Sequence, residues 1–427
     1  MYKEFKICVI GLGYVGLPLA VSFSKHFSTI GFDINKKRIN NLKKNIDTNN
    51  ELYGFRKKKL LFTCLEEDIK NSNFYVIAVP TPVNKKNLPD LRNLIKASRL
   101  VGSVLKKNDF VVYESTVYPG LTEEVCIKIL EKVSGLNVTK EKKIQDFYCG
   151  YSPERVNPGD KINKLNNITK IVSANNFHAR KIIHNVYKNI TKRIHVAKSI
   201  KIAESAKVIE NAQRDINIAF INELSLIFNK LNINFKDILK AASTKWNFVN
   251  FTPGLVGGHC IGVDPFYLAY KSILAGYTPK VLLSGRKIND QMSIQFAKNF
   301  LEKIKKIIKD KKKYNILVLG LSFKENVKDI RNSKVFDSIN YLKKKHNVKI
   351  YDPIVSKLDV PREYHKMFSK LKERDFFDGV FISSPHSIFL KNLFLSKLEK
   401  CCRKKNVVFD LKHKLNMTRN KLNIVSA

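Results

Sequence analysis

Apolar and polar residues alternate along this chain in two separate blocks. The short apolar run Lys6-Ile7-Cys8-Val9-Ile10 leads into Gly11-Leu12-Gly13-Tyr14-Val15-Gly16, and Leu17-Pro18-Leu19-Ala20-Val21-Ser22-Phe23 follows at helical spacing. This order predicts a strand, a tight glycine turn and a helix. Apolar runs of strand length recur at 29–33, 74–79, 110–114, 147–151 and 169–173, with helical patterns at 91–105 and 121–133 between them. Such alternation predicts a parallel sheet with helices on both faces. From 200 to 231 there is no proline or glycine and the pattern is helical throughout. Helical segments at 237–242 and 277–308 follow, so this region reads as a helical connector and dimer interface. Then the alternation restarts, with strands at 314–320, 348–352, 379–383 and 407–410 and a helix at 333–344. The expected fold is α/β, with two Rossmann-like domains joined by a long helix and a helical dimerisation region. The boundaries fall at 1–198, 199–308 and 309–427.

Composition changes this picture little. A chain of 427 residues that is 44% hydrophobic can fill two or three ordinary cores. The seven cysteines show no CxxC or Cys/His spacing, which argues against a disulfide frame or a metal site and for a reducing, cytoplasmic setting. The uncharged run 7–24 imitates a signal peptide, but glycines and Pro18 interrupt it and Glu4 sits in the supposed basic region. No other run approaches the ~20 apolar residues of a membrane helix, so no membrane association is expected. A net charge of +41 invites a nucleic-acid reading. Lysine far outnumbers arginine, however, and Lys, Asn, Ile and Phe are all abundant, as compositional drift toward AT-rich codons would also produce. Without a recognised DNA or RNA motif, the expectation is no specific nucleic-acid partner, only nonspecific polyanion sticking at low salt.

Candidate chemistry lies on the loops. A GxGxxG between a strand and a helix is a dinucleotide fingerprint that sets pyrophosphate on the helix N-terminus. Asp33, about twenty residues on, would hold the adenosine ribose hydroxyls and repel a 2′-phosphate. NAD is therefore favoured over NADP, with Arg38 and Lys36 leaving that choice partly open. The loops at 80–82, 115–116 and 152–159 follow successive strands and would face one crevice beyond their carboxyl ends. Lys207, Asn211 and Arg214 share one helix face, either as a solvated stripe or as donors aimed at an anion. In Gly254-Leu255-Val256-Gly257-Gly258-His259-Cys260-Ile261-Gly262-Val263-Asp264-Pro265, four glycines surround one thiol. It is either a nucleophile in a pocket or a buried cysteine in an irregular loop. Asp264 is placed to orient water or a base, with Pro265 opening a helix, while His259 points to the opposite side from Cys260. Gly320-Leu321-Ser322-Phe323-Lys324 stands where a second glycine fingerprint would sit, and its lysine suggests an anionic ligand other than a dinucleotide.

With these residues in view, the chain resembles the UDP-glucose/GDP-mannose dehydrogenase family over essentially its whole length. The motifs are Ser152-Pro153-Glu154-Arg155-Val156-Asn157-Pro158-Gly159, Asn211-Ala212-Gln213-Arg214-Asp215, Thr244-Lys245-Trp246-Asn247-Phe248, the Cys260 loop, and Phe323-Lys324-Glu325-Asn326 with Arg331. It is most similar to the branch that oxidises UDP-N-acetylhexosamines, and Trp246 stands where the manno branch carries an arginine. The resemblance implies a homodimer that oxidises the sugar's C6 alcohol to a uronic acid with two NAD, for a surface polysaccharide. It implies Cys260 as nucleophile, Lys207 and Asn211 as oxyanion donors, Asp264 and Thr116 positioning water, and Glu154 assisting proton transfer. NAD contacts are implied for Gly11, Gly13, Tyr14, Val15, Gly16, Asp33, Arg38, Thr81, Thr116 and Arg331. UDP-sugar contacts are implied for Arg155, Val156, Lys207, Asn211, Arg214, Phe251, Gly254, Gly257 and Lys324. UDP-N-acetylglucosamine is the expected substrate, with the galacto epimer as a companion; the alternatives are oxidation of UDP-glucose or UDP-N-acetylmannosamine, or a catalytically silent nucleotide-sugar binder that keeps the fold.

Overall fold

The structure is a computed structural model. It describes every residue except 1–3, 50, 51, 53, 56, 57, 139–145, 157–164, 259, 260, 374, 416–420 and 427. The chain divides into two compact units, Met1–Asn211 with Phe266–Thr278, and Ala212–Pro265 with Pro279–Ala427.

The first unit is built on eight strands: β1 (Lys6–Ile10), β2 (Ser28–Phe32), β3 (Leu60–Thr63), β4 (Phe74–Ile77), β5 (Phe110–Tyr113), β6 (Tyr148–Tyr151), β7 (Thr169–Ala174) and β8 (Arg193–Val196). They lie in the order β3-β2-β1-β4-β5-β6-β7-β8. The strand order reverses at β1, between β2 and β4, and ligands of open α/β sheets bind at such a switch point. Central strands β4 and β5 are apolar on both faces and fully buried, as strands covered by helices on each side must be. The expected all-parallel sheet is corrected at one place: β6 and β7 pair antiparallel, with Gly150 opposite Ala174 and Tyr151 opposite Ser173. Among the described residues no helix lies between these two strands. A strand that returns without a crossover pairs antiparallel.

The second unit carries β9 (Asn315–Leu319), β10 (Asn347–Tyr351), β11 (Phe377–Ile382), β12 (Cys402–Asp410) and β13 (Ile424–Ser426), in the order β10-β9-β11-β12-β13 and parallel throughout. Phe296 and Phe300 of the helix Lys280–Ile307 pack with Phe381 and Phe409 on one face. Leu319, Val380, Phe394 and Leu398 form the core on the other.

The run without proline or glycine forms one helix of 31 residues, Ile200–Lys230. A second helix, Asp264–Leu274, begins one residue before the expected start at Pro265. Its first residue is an acid, which suits the positive end of the helix dipole, and Pro265 falls in the first turn, where its missing N–H has no intrahelical partner to lose. Among the described residues no helix is long and apolar enough to cross a membrane.

Candidate active site

The three glycines after β1 do three different jobs. Gly11 has φ +91°, and a Cβ there would sit 2.9 Å from the Ala78 carbonyl oxygen. Gly16 opens the helix Gly16–Phe23, and its Cβ would fall 1.7 Å from the Gly11 oxygen, so only glycine lets the helix close onto the turn. Around Gly13 a Cβ would meet nothing within 4 Å. That open side is where a pyrophosphate would approach the backbone, and the helix behind it has neither a side-chain cap nor an acid in its first turn. The donor set therefore fits a dinucleotide. Asp33 follows β2, half-buried, with Oδ2 accepting from Leu12 N (2.9 Å) and Oδ1 from Asn35 N (2.8 Å). Arg38 is committed to the turn itself. Its Nε donates to the Leu12 carbonyl at 3.0 Å, and its Nη1 donates to Asp47 at 2.7 Å and to Thr48 at 3.0 Å. Arg38 thus holds the fingerprint loop from behind.

The loops after β4, β5 and β6 come together. Thr81 Oγ1 donates to the Thr116 carbonyl at 2.7 Å, and Ser115 Oγ donates to the Val79 carbonyl at 2.7 Å. The fully buried Tyr267, from Asp264–Leu274, donates to the Thr81 carbonyl at 3.0 Å. Glu114, at the end of β5, lies 1% exposed beside Lys170 of β7, whose side chain is wholly buried. Lys170 Nζ bonds Glu114 Oε2 and donates to the Pro153 carbonyl at 3.0 Å, and it stands 3.6 Å from Glu154 Oε2. Glu154 also accepts the Val156 N–H. Tyr187 donates to the other oxygen of Glu114 at 2.7 Å. Burial pushes the Glu114 carboxyl up to about 7, against the pull of Lys170 and with a further push from Glu154.

On the helix Ile200–Lys230, Lys207 and Asn211 are buried and Arg214, farther along the same face, is exposed. One turn before Lys207, Glu204 accepts the Thr122 N–H at 2.9 Å and the Gly120 N–H, fixing the chain that follows Thr116. Burial lifts the Glu204 carboxyl to about 7. Arg155 turns onto this helix, pairing with Glu210 at 2.8 Å and donating to the Thr169 carbonyl at 2.6 Å, while Val156 is half-buried. Tyr14 and Val15 are half-buried in the glycine turn.

The second unit presents the glycine loop. Asn222 grips Gly254 with both ends of its amide, donating to the Gly254 carbonyl at 3.0 Å and accepting the Gly254 N–H at 2.9 Å. Asn222 also donates to Asn289 at 2.9 Å, and Asn289 and Arg286 converge on Asp215 at 2.7 and 2.6 Å. This buried ladder ties the loop to two helices. Apart from Asp215, which closes the Asn211–Asp215 motif, its members look like ordinary polar helix residues in sequence. A Cβ on Gly257 would press within 2.6 Å of the Asn332 oxygen, so the loop lies flat against the segment after β9. Gly257, Phe323, Ser384 and Lys412 line a small cavity there. Lys412 bonds Glu325, and Lys324 and Phe251 are half-buried. Arg331 forms a two-pronged pair with Asp329, at 3.0 and 2.8 Å. Asp264 is 1% exposed. Trp246, by contrast, is 91% exposed, so its own unit does not enclose it. Cys260, like His259, lies outside the described residues, as do Asn157, Pro158 and Gly159.

Family models match along the chain in three segments of the UDP-glucose/GDP-mannose dehydrogenase family: the NAD binding domain over residues 5–191, the central domain over 201–291 and the UDP binding domain over 317–417. The chain is 47% identical to a UDP-N-acetyl-D-glucosamine 6-dehydrogenase of Salmonella typhi, covering 96% of this chain and 97% of that one. It is 44% identical to a UDP-N-acetyl-D-glucosamine 6-dehydrogenase of Pseudomonas aeruginosa, over 99% and 100%. Among solved structures, the UDP-D-ManNAc dehydrogenase of Pyrococcus horikoshii superposes with a TM-score of 0.86 at 29% identity, over 98% of each chain. The dinucleotide turn, the polar loops beyond β4 to β6 and this agreement along the chain have one explanation: the protein belongs to the UDP-glucose/GDP-mannose dehydrogenase family and is an NAD-dependent nucleotide-sugar dehydrogenase.

Proposed function

We propose that the chain oxidises the C6 alcohol of UDP-N-acetylglucosamine to UDP-N-acetylglucosaminuronate, a precursor for an acidic surface polysaccharide. The observation that carries the substrate is the 44–47% identity, along nearly the whole chain, to two relatives of that name. NAD, when bound, accepts hydride. The chain's own residues do the rest. Glu154 takes the proton leaving the alcohol. Cys260 adds to the C6 aldehyde as a thiohemiacetal, which a second oxidation turns into a thioester that water cleaves. One alcohol, two NAD and one water give one carboxylate, two NADH and three protons. Lys207 and Asn211, buried one helical turn apart, supply donors to the oxyanions, and Asp264 and Thr116 position the water. Gly11, Gly13, Tyr14, Val15, Gly16, Asp33, Thr81 and Arg331 serve the cofactor, with Arg38 acting through the turn it braces. Arg155, Val156, Arg214, Phe251, Gly254, Gly257 and Lys324 serve the nucleotide sugar.

The same reading takes 1–198 as the NAD-binding domain, 199–308 as the central region and 309–427 as the UDP-sugar domain, supported by the three family segments. It takes the protein as a cytoplasmic homodimer. Buried free thiols at Cys8, Cys126, Cys149 and Cys401 suit a reducing compartment. Ile202, Ile209, Phe220 and Ile227 lie 45–55% exposed along one face of the long helix, as a subunit contact would use them.

The test is a panel of UDP-glucose, UDP-N-acetylglucosamine, its galacto epimer and UDP-N-acetylmannosamine, scored by kcat/KM and by NADH per sugar. The acetylated gluco sugar should lead with two NADH, and Cys260→Ala should bind NAD yet make no uronic acid. A lead for UDP-glucose defeats the substrate, and one NADH with free aldehyde defeats the thiohemiacetal route.

A further inference from the structure

Behind Glu154 lies a group of charges for which the reaction as derived has no use. Lys170 is a lysine near the start of a buried strand, with no exposed side-chain surface. Two carboxylates share its one ammonium: Glu114 in direct contact and Glu154 at 3.6 Å. The Tyr187 hydroxyl completes Glu114 from the helix Phe177–Lys188, and its ring lies 5.9 Å from Lys170 Nζ. Arg155, the next cation along the loop, is turned away onto Glu210 and the Thr169 carbonyl. With both carboxylates ionised the group carries a net charge of −1 where almost no water reaches. Glu154, with 13% of its side chain exposed, is the one charged member that touches solvent.

We propose that Glu114 and Lys170 are positioning residues for the sugar oxidation: Lys170, held between Glu114 and the Pro153 carbonyl, stands behind Glu154, and the two buried charges together set the local field in which Glu154 takes a proton from substrate. The inference rests on the reading of Glu154 given above. Burial raises the Glu114 carboxyl to about 7, so the charge it places beside Lys170 changes across the neutral range. The balance is simple: the alcohol proton passes to a Glu154 oxygen, and the proton leaves the same carboxyl for solvent before the next turnover. Glu114 tunes this step by its negative charge, which disfavours a second one at Glu154, and Lys170 by its positive charge, which favours it. Because Glu114 directly precedes Ser115 and Thr116, the same pair sits at the root of the loop proposed to position water.

The two residues should therefore act with opposite sign. In the full-length enzyme with NAD and UDP-N-acetylglucosamine, the acid limb of kcat/KM should move down by about 1 pH unit in Glu114→Gln and up by about 1 unit in Lys170→Met. KM for NAD should stay within about 2-fold in both, since neither side chain is among the cofactor contacts. A purely structural role would lower activity or melting temperature without moving the limbs apart. Glu154→Gln separates the two layers of the argument. It should lose ~100-fold or more in kcat at every pH. If it does, while the limbs of the other two variants stay put or move together, Glu114 and Lys170 have no such role and the reading of Glu154 stands. If Glu154→Gln keeps parental turnover, the reading of Glu154 fails and takes this inference with it. Should Lys170→Met not fold, Glu114→Gln decides alone: it preserves volume and an acceptor for Lys170, so an unmoved acid limb overturns the proposal.

Discussion

Two turns in this molecule share one backbone design and differ in what they leave open. After β1, Gly11 (φ +91°) donates its N–H to Phe32, the last residue of β2, and Leu12 N donates to Asp33. After β9, Gly320 (φ +83°) donates to Tyr351, the last residue of β10, and Leu321 N donates to Asp352 at 2.7 Å. Each aspartate also accepts the N–H two residues on, at 2.8 Å in both cases. A Cβ on either glycine would strike the backbone beyond the neighbouring strand, at Ala78 or Ser384. The two turns part company after this. The position of Gly13 is taken by Ser322, whose hydroxyl bonds the Lys324 carbonyl, and that of Gly16 by Glu325, which holds Lys412. No helix closes onto the second turn; the next begins at Val335. Asp352 is capped by the fully buried His386, whose Nδ1 accepts the Asn326 N–H, so that the proton on Nε2 points at the carboxylate 3.0 Å away. Asp33 has no such cap and stays half-buried. One aspartate is thus available to a ribose and the other is a structural strut. A nucleotide turn is defined by what remains open around its backbone as much as by its fold.

Breaking the first turn gives the largest expected effect. Gly16→Val places atoms 1.7 Å from the Gly11 oxygen and should weaken NAD binding by about 1000-fold or more, since helix and turn can no longer close on the pyrophosphate. An NAD Kd within tenfold of the parent, measured by fluorescence or calorimetry, refutes that account. Next comes Asp33→Ala, which removes a charged acceptor and should cost ~10- to 100-fold in NAD affinity while narrowing the lead over NADP. An unchanged cofactor preference excludes the ribose role.

The smallest effect, Asp352→Asn, sharpens the contrast because it concerns stability. Burial works against ionised Asp352, but the His386 hydrogen bond and the amides of Leu321 and Val355 outweigh it and hold the carboxyl below its usual range. A depressed carboxyl stabilises the fold above its unfolded value of ~3.9, and the gain is lost as pH falls through the folded value. Asp352→Asn should therefore lower the melting temperature near neutrality, by an amount corresponding to about 1–2 kcal/mol, with the gap closing below about pH 4 and NAD affinity unchanged. A gap that persists undiminished in acid assigns the effect to packing.

Much of this was legible in sequence for identifiable reasons. The dinucleotide turn is local, its glycines fixed by sterics within a few residues, and the long helix follows from 31 residues without a breaker. Short edge strands left weaker traces. The segments β3 and β8 have four residues each, and β8 carries Arg193 and His195 on a largely exposed surface, so no apolar run marks it. The antiparallel turn-back from β6 to β7 was equally hidden, because an apolar strand does not declare its direction. Buried polar groups were hardest to foresee. Lys170 reads as an ordinary residue in Thr169-Lys170-Ile171-Val172, and only the buried partners at Glu114 and Pro153, 56 and 17 residues away, turn it into an internal charge. In the row Lys207, Asn211, Arg214, spacing alone did not indicate that the first two would be buried and the third exposed.

The exposed stripe on the long helix has a geometric consequence. From Ile209 to Ile227 is 18 residues, five turns at 3.6 residues each, so the two side chains leave the helix in the same direction with no angular drift. Ile202 and Phe220 each fall within about 20° of that line. A left-handed supercoil needs an apolar seam repeating every 3.5 residues, which winds slowly around its helix. This seam runs straight. A partner helix coiling in register with heptads would lose it within a few turns, whereas a straight element crossing at a fixed angle would meet it at one place, and the proposed subunit contact would then be specified by the shape of Phe220 and its isoleucine neighbours rather than by a repeating code.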